Sequence, residues 1–323
     1  MLVGRRSILG AAAALPLLNL ATAANAAPVT GGETLALWPN DPPGAPSQLP
    51  KAKIADQSKR AGFTDRWVSG IARPSLMVRR AAAPNGTAVL LVPGGGYGFL
   101  AIDNEGEEQA RWLNAIGVTC FILSCRLPGE GWSDRARVPL QDAQRAMRVI
   151  RSRASSYGVD AARVAVLGFS AGGHLAGSLA TRFAEQSYAR VDAADQLSAR
   201  PDMAGLVYPV VSMAAPFTHA GSRDNLLGTD ADQASRRRAS VELHVAETTP
   251  PMFLAHASDD DLVPIANSLA LYRAMLDQHR AVEFHGFDQG GHGFGTRLPK
   301  TVPASAWPTL FAAFARRLDL LPG

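Results

Sequence analysis

Short apolar runs recur along the chain: "TAVLLVPG" (87–94), "VTCFILSC" (118–125), "RVAVLGF" (163–169), "AGLVYPV" (204–210), "PPMFLAHA" (250–257) and "AVEFHGF" (281–287). Each has strand length and little polar alternation, the pattern of strands buried on both faces of a mostly parallel sheet. The segments between them follow another period. Leu140, Ala143, Met147, Ile150 and Ala154 recur at helical spacing while Gln141, Asp142, Arg145, Arg148 and Arg151 take other positions, which predicts a helix lying on that sheet. Ile265, Leu269, Tyr272 and Leu276 form a second stripe behind Pro264, a good first-turn residue, and residues 305–320 read as a closing helix. The Pro- and Gly-rich stretch 30–50 reads as irregular surface chain, and Asn85-Gly86 as a tight turn before a strand. Residues 211–245 are the one long insertion between strands, so a cap, if small, comes from there.

Length and composition permit a single core, since 323 residues at 47% hydrophobic bury one large α/β domain. The amino terminus stands apart. Arg5-Arg6 precede an apolar run over 8–20, and Ala24 and Ala26 supply an A-x-A site, so residues 1–26 read as an export signal, of the twin-arginine or the ordinary secretory kind, ahead of a domain at 27–323. A membrane span is disfavoured, because it needs about 20 apolar residues and Pro16 and Asn19 interrupt this run. Removing 1–26 takes away two arginines and no acid, lowering the formal net charge from +4 to +2. Arg236-Arg237-Arg238 stands without interleaved aromatics and reads as a solvated helix face, so nucleic acid is not an expected partner.

Cys120 and Cys125 fall in one predicted strand, where about 3.3 Å per residue separates their Cα atoms by roughly 16 Å, beyond the roughly 7 Å limit of a disulfide. Two reduced thiols are expected. The seven histidines are scattered without H-E-x-x-H or C-x-x-C, so no metal is expected.

"VLGFSAGGHLAG" ends a strand on Gly168-Phe169-Ser170-Ala171-Gly172 and continues in small residues. A G-x-S-x-G at a strand-to-helix turn lifts a hydroxyl out of the sheet, the glycines being needed because a Cβ would strike neighbouring backbone. A serine nucleophile requires a base, and the base a carboxylate. "FLAHASDDDLVP" offers Asp259, Asp260 and Asp261 at a strand end, and "FDQGGHGFG" carries His292 on a bendable loop after the next strand. Spacing alone leaves the three aspartates open. The order Ser, Asp, His is that of α/β-hydrolases. Gly94-Gly95-Gly96 at the end of "LLVPGGG" supplies bare N–H groups for an oxyanion beside that of Ala171, and fits a nucleotide-binding loop poorly, since no G-K-[ST] follows.

"VPGGGYGFLAIDNEGEEQARWLNAIGVTCFILSCRLPGEGW", "GFSAGGHLA", "NLLG", "HASDDDLVPIANSL" and "GGHGFG" together resemble the exported bacterial α/β-hydrolases grouped with acetyl esterases and acetyl-xylan-esterase-like proteins, from about Leu35 to the carboxyl terminus. The resemblance implies that Asp260 is the triad aspartate and Gly95 and Gly96 the oxyanion donors with Ala171. It also implies hydrolysis of short acyl esters, acetate first, on a plant cell-wall saccharide, without cofactor. Pro93 stands where relatives often carry histidine, and Cys125 where tyrosine is expected. Tyr97 and Trp132 are candidates to stack on a sugar, His174 is expected to be a structural hydrogen-bonding group, and Glu105 to pair with Arg126 beneath the glycine loop. The alternatives are another acyl group (feruloyl, glucuronoyl), or a small ester, or a saccharide-binding module without catalysis. A prolyl-peptidase gating domain has no room here, and a lipase would want a more apolar lid.

Overall fold

The computed structural model describes residues 32–59, 61 and 63–322; the expected export signal lies outside them. Four strands come first, β1 (Thr34–Ala36), β2 (Lys53–Asp56), β3 (Arg66–Ser69) and β4 (Ser75–Arg79), then β5 (Gly86–Val92) and β6 (Leu100–Ala101). A π-helical turn, Asp103–Glu107, runs into α1 (Glu108–Ala115), followed by β7 (Thr119–Ser124), α2 (Val138–Ser152), β8 (Val159–Phe169) and α3 (Ser170–Arg182). The remaining elements are β9 (Ala204–Val207), α4 (Ala220–Leu227), α5 (Gln233–Ala239), β10 (Met252–Ala257), α6 (Ala266–Asp277), β11 (Val282–Phe287) and α7 (Trp307–Arg317).

Eight strands form one sheet in the order β1-β4-β7-β5-β8-β9-β10-β11. β1 and β4 are antiparallel additions at one edge, and every pair from β7 to β11 is parallel. The apolar runs are these parallel strands. Their side chains alternate between two cores: Leu90, Val92, Phe121, Leu123, Val164 and Val166 meet α2, α3 and α6, while Val89, Leu91, Cys120, Ile122, Leu167 and Phe169 meet α1 and α7. The stripe on α2 buries Leu140, Ala143, Met147 and Ile150 against the first of these. Five short strands escape the sequence pattern. β1 lies inside the stretch expected to be irregular; it has three residues and a single inward side chain, Leu35, too little for a periodicity to register. β4 buries only Leu76 and Val78, and β2, β3 and β6 form a small antiparallel sheet of their own.

Cys120 and Cys125 are free and buried, one in each core, and burial raises both thiols far above their ordinary value. The insertion carries α4 and α5 and closes on itself, the Val241 N–H donating to the Val211 carbonyl at 3.0 Å and the Met213 N–H to Ser240 Oγ at 2.9 Å. The arginine triplet occupies the last turn of α5 with Arg237 and Arg238 exposed, where cations meet the negative end of the helix. Among the described residues no helix is long and apolar enough to cross a membrane.

Candidate active site

The carboxyl ends of the parallel strands face one way, and the chemically equipped loops all leave from there. β8 delivers Ser170 as the first residue of α3, with φ +51°, a left-handed conformation unusual for a side-chain-bearing residue. The turn is that tight because α3 lies almost on the backbone of β5. A Cβ on Gly172 would come within 2.2 Å of the Val92 carbonyl oxygen, and one on Gly168 within 2.3 Å of the Gly172 carbonyl oxygen.

The loop after β11 brings His292 Nε2 to 2.9 Å from Ser170 Oγ. Its Nδ1–H donates to Asp260 Oδ2 at 2.7 Å, which leaves Nε2 to accept the serine proton. Asp260 follows β10 and is buried. Its Oδ1 accepts the N–H groups of Leu262 (3.0 Å) and Val263 (2.8 Å). Oδ2 is shared with a second imidazole, since His256 Nε2–H lies 3.2 Å from it and 2.9 Å from the Val263 carbonyl, with Nδ1 accepting from Ser268 Oγ at 2.8 Å. Burial works against ionising Asp260, but the hydrogen bonds from His256 and His292 outweigh it and hold the carboxyl well below the usual range. The neighbouring acids do other things: Asp259 Oδ1 accepts the Gly291 N–H at 2.7 Å, and Asp261 is exposed.

Gly94, just past β5, lies so close to Ser170 that a Cβ there would stand 2.8 Å from Ser170 Cβ. Gly95 and Gly96 follow with φ +126° and +61°. The N–H groups of Gly95 and Gly96 donate to no described residue, and Ala171 lies in the first helical turn, where N–H groups have no intrahelical acceptor. The Gly96 carbonyl accepts Asn225 Nδ2 from α4 at 2.8 Å, tying the insertion to this loop.

Several supporting groups differ from, or were missed by, the sequence analysis. Glu105 does not pair with Arg126. Glu105 Oε2 accepts the Gly94 N–H at 2.7 Å, and Oε1 accepts the Tyr208 hydroxyl at 3.0 Å; that hydroxyl in turn accepts the Gly295 N–H at 3.0 Å. Burial raises the Glu105 carboxyl, the Gly94 and Tyr208 bonds opposing it. The carboxylate thus joins the glycine loop to the histidine loop, and Asn104 Nδ2 adds a 2.7 Å bond to the Gly293 carbonyl. Arg126 instead makes a fully buried ion pair with Asp142 on α2 (2.8 Å), where the helical stripe left a polar residue facing inward. Tyr97 and Trp132 offer no open ring to a sugar. Tyr97 is 6% exposed with its hydroxyl on His174 Nδ1 (2.7 Å), and Trp132 is 4% exposed with the Arg126 guanidinium 4.9 Å from its ring centre. His174 also donates Nε2–H to the Ala239 carbonyl at 2.7 Å, clamping α3, the glycine loop and the insertion, and burial pushes it down to about 4. Cys125 lies in the same buried layer as Tyr97. The exposed aromatic surface beside the loop is Trp67, stacked on Phe99 at 3.8 Å and 13°.

A mostly parallel sheet with this arrangement at its carboxyl end is an α/β-hydrolase. The BD-FAE family model matches residues 87–275, more than half of the chain, and the chain belongs to that family as an acetyl-xylan-esterase-like member. It is 33% identical over 220 residues to an acetylxylan esterase from Xylanibacter ruminicola, covering 66% of this chain and 42% of that one. Over 205 residues it is 35% identical to endo-1,4-beta-xylanase B from Butyrivibrio fibrisolvens, covering 64% and 32%. The chain therefore spans less than half the length of these two relatives. The crystal structure of an acetyl ester-xyloside bifunctional hydrolase from Caldicellulosiruptor lactoaceticus superposes with TM-score 0.74 at 32% identity, covering 90% of this chain and 97% of that one.

Proposed function

We propose that this chain is an exported serine esterase that removes short acyl groups, acetate first, from plant cell-wall saccharides. The observation that carries the reading is the unbroken hydrogen-bonded chain from Ser170 through His292 to Asp260, set against the glycine loop. Ser170 Oγ attacks the ester carbonyl as His292 Nε2 takes its proton, and Asp260 balances the imidazolium. The carbonyl oxygen, gaining negative charge, accepts hydrogen bonds from the N–H groups of Gly95, Gly96 and Ala171. His292 then returns the proton to the departing alcohol. Water repeats the sequence on the acyl-serine and releases the acid. No metal or organic cofactor enters these steps.

The choice of acetate on xylan is supported by what the acetylxylan esterase and the acetyl ester-xyloside hydrolase are named for. Export, to the periplasm or beyond, is supported by the Arg5-Arg6, apolar run and A-x-A pattern, and suits a polymer that stays outside the cell. The test is acetate release from acetylated xylan by wild type and Ser170→Ala. Wild type is expected to release acetate and the variant to fall by about 10⁴-fold or more. Release by the variant at the wild-type rate would refute a serine mechanism. Turnover of 4-nitrophenyl acetate without release from xylan would retain the esterase and reject the polymer.

A further inference from the structure

His219 opens α4 within the insertion, and its ring lies over the glycine loop. A Cβ on Gly96 would stand 3.9 Å from His219 Cε1, and one on Gly221 3.5 Å from Nε2. Its tautomer is determined by its partners. Nδ1 accepts the Ser222 N–H at 3.3 Å, capping the helix, and lies 2.8 Å from Ser222 Oγ. A backbone N–H can only donate, so in the neutral ring the proton sits on Nε2. No described residue accepts from that Nε2–H, although the residue is partly buried. Burial, and then His292, push the imidazole below its ordinary value, with Asp260 opposing, which favours the neutral ring.

We infer that His219 is a specificity-determining residue that donates its Nε2–H to an oxygen on the alcohol half of the ester, a hydroxyl or ring oxygen of the saccharide leaving group. This rests on the esterase reading above. The chemistry of the substrate assigns the partner. An acetyl group has one strong acceptor, its carbonyl oxygen, which the proposed mechanism already gives to the N–H groups of Gly95, Gly96 and Ala171. Its methyl accepts nothing. Every other strong acceptor of a sugar acetate lies on the alcohol side, so a further donor beside Gly96 and within electrostatic reach of His292 meets that side. Asn225, further along α4, holds the Gly96 carbonyl, so the same short helix sets the loop and carries the donor.

Two substitutions separate donation from helix capping. His219→Asn keeps an acceptor at the distance of Nδ1 and removes the Nε2 donor. His219→Gln places an amide N–H near Nε2 and gives up the cap. The readout is kcat/KM for an O-acetylated methyl xyloside relative to 4-nitrophenyl acetate, which lacks sugar oxygens, with Tm recorded for each protein. His219→Asn is expected to lower that ratio about tenfold, the worth of one hydrogen bond to the substrate, chiefly through KM. His219→Gln is expected to recover most of the ratio at a lower Tm. A wild-type ratio in His219→Asn, or equal losses on both esters, would overturn the inference and leave His219 a helix cap. A wild-type protein inactive on both esters would instead overturn the esterase reading, and this inference with it.

Discussion

Asp260 serves two imidazoles, and only one of them touches Ser170. His256 holds the far side of the same carboxylate oxygen from a fully buried position, so in the proposed mechanism it is a positioning residue for the base. His256→Gln is expected to lower kcat about tenfold with KM nearly unaltered, because a hydrogen bond to a charged acceptor is worth about 1.5–3 kcal/mol and only part of it is felt in the transition state. A rise in KM with unaltered kcat would contradict that role. His174 carries a prediction of another kind. Burial pushes its imidazole down from 6.5 to about 4 in the folded state. Between those two values the unfolded chain binds a proton that the folded chain refuses, so stability is complete above pH 6.5 and falls as the pH drops toward 4. At about 1.4 kcal/mol per unit, the loss by pH 5 is about 2 kcal/mol. Urea unfolding at pH 7 and pH 5 measures it, and His174→Gln, which cannot titrate, is expected to lose most of the difference. An undiminished difference in that variant would assign the effect to other groups.

At the scale of elements, the small sheet of β2, β3 and β6 explains why an exposed tryptophan sits where it does. β3 pairs with β6, which directly follows the glycine loop, and Trp67 thereby lies on Phe99, whose Cδ2 comes within 2.7 Å of where a Cβ on Gly95 would be. The stack rises from the glycine loop, with Trp67 39% exposed. Trp67→Ala is expected to reduce activity on acetylated xylan relative to 4-nitrophenyl acetate by about fivefold, the size of one aromatic contact. An unaltered ratio would show that Trp67 does not touch the polymer. Neither this platform nor the π-helical turn was legible in the sequence. β3 is four residues long and has no clear alternation, and nothing in "DNEGEE" says that Glu105 turns back onto Gly94 while Asn104 reaches the histidine loop. His219 left a trace, a histidine three residues before a serine at the start of a helix, but a single polar residue in a loop does not declare which face of the molecule it serves.

For the whole molecule, what the sequence made legible is what strand periodicity carries. Six apolar runs located the parallel strands, and the loops leaving their carboxyl ends bring Ser170, Asp260 and His292 together, in that chain order. Spacing left Asp259, Asp260 and Asp261 open, because all three follow the same strand; what separates them is backbone geometry after β10, which turns Asp260 inward and leaves Asp261 in solvent. The errors fall where long-range partners decide, as with Arg126 choosing Asp142 over Glu105 and Tyr97 choosing His174 over a ligand. One feature of the insertion reaches further. Its neck is drawn shut by the bond from Val241 to Val211, so everything between those residues leaves the frame and returns at nearly the same point. A segment with joined ends can be exchanged against another of different length without moving the strands that flank it. The sheet that holds Ser170, Asp260 and His292 and the segment that lies over the glycine loop are therefore separable inheritances, and a lineage can replace the second as a cassette while leaving the first alone.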